Sequence, residues 1–527
     1  MASGISLKDT AVVLPNKRAH RMLLKELASL STAPVFAPTI FTINDFVSFL
    51  SPLENLEKMA LMVQLYQNYR ELAGTDADDF ATALSWMPAF IDDMSETDKQ
   101  MDDAVRILTE LAYAKDFEIP FSHDAISAEG ERKIRFYQLL ADLYVQFKES
   151  LLAKGTAYEG LVYRDCAEHI AEYQSKLTFQ HFVFAGFHVL NPAELTVVKF
   201  VKEHFDTQFY FDIDPFYCDF NKNERFTTAH FLHKICQVLS LKQEEVLFNE
   251  KSYETVPKNV QIVGTSKEMN QIFYAIQCLE DIKKKQGNLD NTALVLADEN
   301  LLVPLLSTYD IADANVTMGY PFAATPAYTL LETLMEMYQT ALSYRGRGLL
   351  FHRRDVVALL LCPLIKNYLF EDASAYGQLL ERIESEKRSL YGVDDLKDLP
   401  LPAFCSETND LIDCIITYIR SIEDTMRVRD FVNDKDTALL DMLVENLEAV
   451  QNQIKPLSDM GIPLTLSIIR YAIYQQIGGL TLPIKGDATR GLQIMGLLET
   501  RTLDFKNVIL LSANEGVLPS GIGFNSI

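Results

Sequence analysis

Gly491-Leu492-Gln493-Ile494-Met495-Gly496, then Leu497-Leu498-Glu499-Thr500-Arg501-Thr502-Leu503-Asp504-Phe505, then Asn507-Val508-Ile509-Leu510-Leu511-Ser512 with Asn514-Glu515-Gly516-Val517-Leu518-Pro519, is the stretch whose reading decides the fold. Two short apolar runs rich in Ile, Leu and Val flank a charged connector and close on Asn-Glu-Gly and Pro. Apolar runs of this length predict two buried strands of a parallel sheet.

Working outward, strands and helices alternate in two further regions. Ala11-Val12-Val13-Leu14 predicts a strand ended by Pro15, and Lys17 to Leu30 carries Met22, Leu23, Leu27 and Leu30 at helical spacing. His181-Phe182-Val183-Phe184 and Gln208-Phe209-Tyr210-Phe211 read as strands around a helix from Pro192 to Glu203. A second unit opens with Val260-Gln261-Ile262-Val263-Gly264 as a strand. It continues with a helix from Ser266 to Lys284, whose Ser266 and Glu268 are expected to cap it, the strand Thr292 to Leu296, and a third strand and turn over Asn315 to Pro321.

Between these regions the apolar spacing is helical. Leu56 to Leu72, Phe80 to Ile91, Ala104 to Leu111, Glu131 to Ala153 and Leu161 to Tyr173 make a first helical block. Tyr328 to Leu342, Arg353 to Leu361, Tyr376 to Glu384, Asp410 to Ile422, Val428 to Lys455 and Leu464 to Gln476 make a second. The expected fold class is α/β, with two parallel-sheet cores that each carry an all-helical insertion.

The 527 residues, 48% of them hydrophobic, leave room for roughly three or four domain-sized units. The longest apolar runs, such as Val356 to Leu361, fall well short of a membrane span, and the amino-terminal residues lack the apolar core of a signal peptide. A cytoplasmic protein with no membrane partner is expected. Seven scattered cysteines without a Cys-x-x-Cys pair read as reduced, mostly buried small apolar residues. The formal charge of −25 repels a phosphate backbone over the molecule as a whole, so nucleic-acid contact requires a local basic groove or a partner.

Few residues carry chemistry. Asn16 and Thr42 suit helix N-caps, and Lys17, Arg18 and Arg21 form either a solvated first turn or a phosphate contact. Cations there oppose the helix dipole, which favours a reason other than stability. A second basic cluster, Arg345, Arg347, His352, Arg353 and Arg354 with Tyr344 and Phe351, suits single-strand binding or a solvated loop. The acidic groups Asp76-Ala77-Asp78-Asp79 and Asp92, Asp93, Glu96 and Asp98 read as caps and loops rather than a divalent metal site. Asp212 and Asp214, before Pro215, read as turn residues. No Gly-x-x-x-x-Gly-Lys-Ser/Thr occurs, so ATP hydrolysis is not expected.

Several of these stretches resemble motifs of the UvrD-like superfamily 1 helicases. Pro15-Asn16-Lys17-Arg18-Ala19 is similar to motif Ia, a Thr-Asn-Lys-x-Ala turn that meets the single-strand backbone. Pro38 to Phe46 is similar to the Thr-Phe-His-Ser-Phe element that follows it, with Asn44 in place of His. The closing stretch resembles motif V, a strand, a Thr-x-His-x-x-Lys-Gly-Leu-Glu-Phe connector, a strand and a Glu-Gly-x-x-Pro turn. Here Gly496, Leu498, Arg501, Thr502 and Asp504 replace its Thr, His, Lys, Gly and Glu. Ala185-Gly186-Phe187-His188 stands where those enzymes carry the Asp-Glu that holds magnesium.

The order of parts resembles the 1A, 1B, 2A, 2B arrangement. It implies a first RecA-like core in residues 1–52 and 176–256, a helical insertion in 53–175, a second RecA-like core in 257–325 and 490–527, and a second helical insertion in 326–489. The chain looks most like the AddB-type subunit of AddAB complexes, and more closely like bacterial proteins that join an inactivated superfamily 1 helicase to a PD-(D/E)XK nuclease. The resemblance implies a scaffold for DNA double-strand break repair and recombination, contacting single-stranded DNA or DNA ends through Asn16, Lys17, Arg18, Thr42 and Arg501. An AddA/UvrD-like helicase subunit would be its partner. No cofactor is expected in this chain. Magnesium, and in some members an iron-sulfur cluster, belongs to a nuclease expected beyond Ile527, so the chain reads as a fragment. The alternative is a protein-protein interaction module with no DNA binding of its own.

Overall fold

The computed structural model describes residues 6–31, 34–118, 128–211, 213–218, 229–241, 246–247, 252–310, 314–343, 349–368, 373–386, 388–392, 395, 411–428, 434–484, 486, 490–501 and 503–519. The chain begins with β1 (Thr10–Leu14), α1 (Lys17–Leu30), β2 (Thr39–Thr42) and α2 (Ile43–Leu50). A first helical block follows: β3 (Glu54–Asn55), α3 (Lys58–Ala73), α4 (Phe80–Ala83), α5 (Met87–Lys99), α6 (Ala104–Glu118), α7 (Ala128–Ala153), β4 (Thr156–Ala157) and α8 (Glu159–Glu168). Then come β5 (His181–Ala185), α9 (Pro192–His204), β6 (Asp206–Tyr210), α10 (His230–Val238), β7 (Val246–Leu247) and α11 (Ser252–Thr255).

The second unit comprises α12 (Glu268–Gln286), β8 (Thr292–Leu296), α13 (Leu302–Thr308), β9 (Ala314–Val316) and β10 (Tyr320–Pro321). Its helical block holds α14 (Pro326–Thr340), β11 (Leu342–Ser343), β12 (Leu349–His352), α15 (Arg353–Leu361), α16 (Pro363–Tyr368), α17 (Ala373–Ser385), β13 (Leu390–Gly392), α18 (Leu411–Val428), α19 (Asp434–Asp459) and α20 (Leu466–Ile477). The strands β14 (Thr481–Leu482), β15 (Leu492–Gly496) and β16 (Asn507–Leu511) complete the order.

Two sheets organise these parts, and both are parallel throughout the described residues. Their strand orders are β2-β1-β5-β6-β7 and β16-β8-β15-β9. The class is therefore mixed α/β. β1, β8 and β15 are buried along their whole length, as continuous apolar runs covered on both faces require. Of the two strands in the deciding stretch, β15 lies inside the sheet, with Ile494 opposite both Leu294 and Val316. β16 differs from the expectation of a buried strand. It is an edge strand, with Val508 and Leu510 exposed and Leu511 buried.

Short ladders accompany the helical blocks. β3 pairs with β4 at the two ends of the first block, and β10 pairs with β14 at the two ends of the second. The hydrophobic core is continuous from the first sheet through both helical blocks, whereas the second sheet has separate small cores on its two faces. In one of these, Leu294, Leu296, Ile494 and Val316 pack with Ile272 and Leu279 of α12.

The predicted helix over Phe80 to Ile91 is two helices, because Pro88 sits in the first turn of α5, where it needs no N–H but cannot continue a preceding turn. The expected strand Val260 to Gly264 belongs to neither sheet. It lies beside β16 without a backbone hydrogen bond to any described residue. Ser266 likewise does not cap α12, whose N-cap position is Lys267 with no side-chain hydrogen bond. Cys166 and Cys362 are buried free thiols, but Cys414 is disulfide-bonded, which departs from the all-reduced expectation. No helix among the described residues is long and apolar enough to cross a membrane.

The acidic group in the first block also differs from the sequence reading. Asp79 caps α4, accepting from Thr82 N at 2.8 Å, and Asp92 pairs with Lys58 near the surface. Asp98 is instead fully buried. Its carboxylate lies 2.7 Å from Arg164 Nε and accepts from the hydroxyls of Tyr144, at 2.8 Å, and Tyr158. Burial, reinforced by this carboxylate, pushes both phenol pKa values up and keeps the hydroxyls as donors. The helices close tightly here, since a Cβ on Gly160 would collide with the Ser95 backbone.

Removing Asp98 takes from Arg164 its buried counter-charge, leaving it only the more exposed Glu168, and strips the Tyr144 and Tyr158 hydroxyls of their acceptor. Asp98→Ala is therefore expected to destabilise the first block by about 3–5 kcal/mol. Trp86, the chain's single tryptophan, packs against Tyr69, Phe90 and Phe136 in that block, so its fluorescence in a urea titration measures the change. Lys58→Ala, which breaks the more exposed Lys58–Asp92 pair, should cost no more than about 1 kcal/mol.

Candidate functional site where the two sheets meet

The carboxyl end of β1 meets one face of the second sheet, and the contact begins with a helix cap. Asn16 is extended, and its Oδ1 accepts from Ala19 N at 2.8 Å, which starts α1 immediately after Pro15. That geometry places Lys17 and Arg18 on the first turn. Lys17 is exposed, whereas Arg18 reaches across to β15. Its Nη2 donates to Gln493 Oε1 at 2.8 Å, and its Nη1 lies 3.9 Å from Met495 Sδ.

Gln493 is a buried amide in an otherwise apolar strand, and its polar atoms are used. Oε1 also accepts from the buried Asn315 Nδ2 at 2.8 Å, while Nε2 donates to the carbonyl of Arg490 at 2.8 Å. The Nε of Arg18 is shut off from solvent and makes no hydrogen bond. Burial lowers the Arg18 pKa from its ordinary value, opposed by the negative charge of Glu499.

Just beyond the end of β15, Glu499 Oε2 accepts from Gly496 N at 3.3 Å and from the Thr317 hydroxyl. Thr317 N in turn donates to Ile494 O at 3.0 Å, prolonging the pairing of β9 with β15. Gly496 occupies a crowded position, where an added Cβ would sit 2.5 Å from Glu299 Oε1. A larger residue at this position would have to displace the Glu299 side chain.

The remaining expected site residues are dispersed. Thr42 caps α2 in a reciprocal box with Asp45, its Oγ1 accepting from Asp45 N at 3.1 Å. Arg501 is exposed just after the turn that follows β15. In the second basic cluster, Arg353 Nη1 donates to Glu384 O at 3.2 Å, and Arg354 Nε pairs with Asp355 Oδ1 at 3.0 Å. Arg345 and Arg347 lie outside the described residues, as does Asp212. Asp214 is a turn residue, accepting from the backbone N–H groups of Phe216 and Tyr253.

The structure thus brings Arg18 to a polar cluster that sequence reasoning missed: Gln493, Asn315, Thr317 and Glu499. The available signal was a polar side chain inside an apolar strand, since an amide buried there must find partners. No family model matches the chain, and no curated protein matches it.

The cluster makes Gln493 an acceptor shared by two donors from different parts of the chain. Gln493→Leu is expected to cost about 1–3 kcal/mol by leaving Asn315 and Arg18 unpaired. A double-mutant thermal unfolding cycle with Arg18→Ala should give a coupling energy of about 0.5–3 kcal/mol, whereas an additive pair would mean that the contact carries no stability.

Proposed function

We propose that this chain is the helicase-like part of a protein that processes DNA double-strand breaks. In this reading it has the 1A, 1B, 2A, 2B arrangement of an inactivated, AddB-like superfamily 1 helicase. It guides single-stranded DNA along the cleft and docks an AddA/UvrD-like helicase subunit. Two wholly parallel sheets, each with a helical block between its strands, support the arrangement. Residues 1–527 hydrolyse no ATP in this reading, because Ala185-Gly186 ends the strand where magnesium would need carboxylates.

The observation that carries DNA binding is a ridge on α1. Lys17, Arg21 and Lys25 are spaced four residues apart, share one exposed helix face and have no ion-pair partner among the described residues. Three such cations in a chain of net charge −25 make a local track for a phosphate backbone. Arg18 does not extend this track, because its guanidinium is engaged by Gln493. That engagement, with the acidic surface, favours the second reading, an interaction module that reaches DNA only through its partner.

Fluorescence titration with an unstructured oligothymidine over a range of salt concentrations separates the readings. Binding by the wild-type chain should weaken with salt, and Lys17→Glu, Arg21→Glu and Lys25→Glu should each lower the logarithmic salt slope by about 0.7. Arg501→Glu tests the other side of the cleft in the same way. Equal slopes for wild type and all four variants would place the DNA elsewhere. Absence of binding at low salt would favour the interaction module.

A further inference from the structure

Arg18 carries a full charge into the contact between the two sheets and is poorly satisfied there. Its Nη2 has one close acceptor, the neutral Gln493 Oε1 at 2.8 Å, and its Nη1 has Met495 Sδ at 3.9 Å. Nε is shut off from solvent without a hydrogen bond, and no carboxylate pairs with the guanidinium among the described residues. Glu499 is near enough to oppose the effect of burial on the Arg18 pKa, yet its Oε2 is used by Gly496 N and the Thr317 hydroxyl.

Gln493 depends far less on Arg18. Its Oε1 also accepts from Asn315 Nδ2 and its Nε2 donates to Arg490 O, both at 2.8 Å, so the amide keeps a donor and an acceptor when Arg18 leaves. A guanidinium, by contrast, favours an anion that accepts from two of its N–H groups at once. The helix brings such an anion within reach. Arg18 follows Lys17 directly and precedes Arg21 by three residues and Lys25 by seven, the spacing of neighbours along one side of a helix. Swung outward, Arg18 flanks the exposed ridge of Lys17, Arg21 and Lys25.

We propose that Arg18 is a latch between the two sheet units that a nucleic-acid phosphate releases. The guanidinium holds Gln493 when no DNA is bound and moves to a phosphate when single-stranded DNA lies on the ridge; this rests on the DNA-binding reading above. With Nε shut off and Nη2 held by Gln493, the guanidinium cannot serve both acceptors. DNA binding and the Arg18–Gln493 contact therefore oppose each other, and by linkage each weakens the other by the same factor. Occupation of the ridge frees the second sheet to shift against the first.

Titration of the full 527-residue chain with fluorescein-labelled oligothymidine at low salt tests the latch. Gln493→Leu removes the competing acceptor and should tighten binding about 2- to 12-fold, the equivalent of one hydrogen bond. Gln493→Met, which keeps the length of the side chain, should act in the same direction, and circular dichroism melts check that each variant is folded at the titration temperature. Arg18→Ala should lower the logarithmic salt slope by about 0.7, and in that background Gln493→Leu should no longer change the affinity. Unchanged affinity in both Gln493 variants, beside a wild type whose binding still depends on Lys17, Arg21 and Lys25, would overturn the latch and leave the DNA reading standing. An equal gain from Gln493→Leu with and without Arg18 would also overturn the latch. Binding by none of the proteins at low salt would overturn both.

Discussion

A parallel pair of strands cannot be joined by a tight turn, and this constraint governs the whole chain. Adjacent parallel strands ask for a crossover of about a dozen residues or more, and the shorter connector from β15 to β16 skips over β8 instead. Most crossovers here are single helices, such as α9 between β5 and β6. Two are filled by entire helical blocks, one between β2 and β5 and the other between β9 and β15. The short ladders β3–β4 and β10–β14 hold together the chain segments at the base of each block, so a long excursion ends close to where it began. Placing the strands beside one another therefore depends on how the helical blocks fold.

Two buried polar groups illustrate different solutions to the same desolvation problem. Asp98 carries a full charge into the first helical block and is surrounded by one cation and two phenols. Every one of these partners lies in the same block, so the cluster fixes how α5, α7 and α8 meet. Gln493 is neutral and is satisfied from three directions, one of them a different sheet unit. Its role is therefore one of alignment between units. An amide suits that role because it offers both donor and acceptor without the large cost of burying an isolated charge.

Sequence periodicity reveals the parts of the fold whose cause is local. The apolar spacing of Met22, Leu23 and Leu27 belongs to one helix, and the unbroken run of β8 to one strand, so both were legible. The status of Val260 to Gly264 was not, because its composition suits a strand whether or not an edge is paired with it. Arg18 shows the same limit for the site. A cation in the first turn of α1 reads as solvated or as a phosphate contact, and neither reading points to the acceptor it has, 475 residues away. Asn16 and Thr42 were legible as caps because the groups they satisfy lie three residues on. Asp98 was misread because the residues that justify its burial come from elsewhere in the block: Tyr144 from α7, Arg164 from α8 and Tyr158 from the position just before α8.

The division of the hydrophobic core makes the two halves unequal in independence. The first sheet and both helical blocks share one apolar interior, whereas the second sheet rests on small clusters of its own. Small cores bury a lower fraction of their surface and hold little stability by themselves. The second sheet is therefore a lodger, whose folded state draws on its host through contacts such as Arg18–Gln493. A change that breaks the Arg18–Gln493 contact therefore removes support from the second sheet itself.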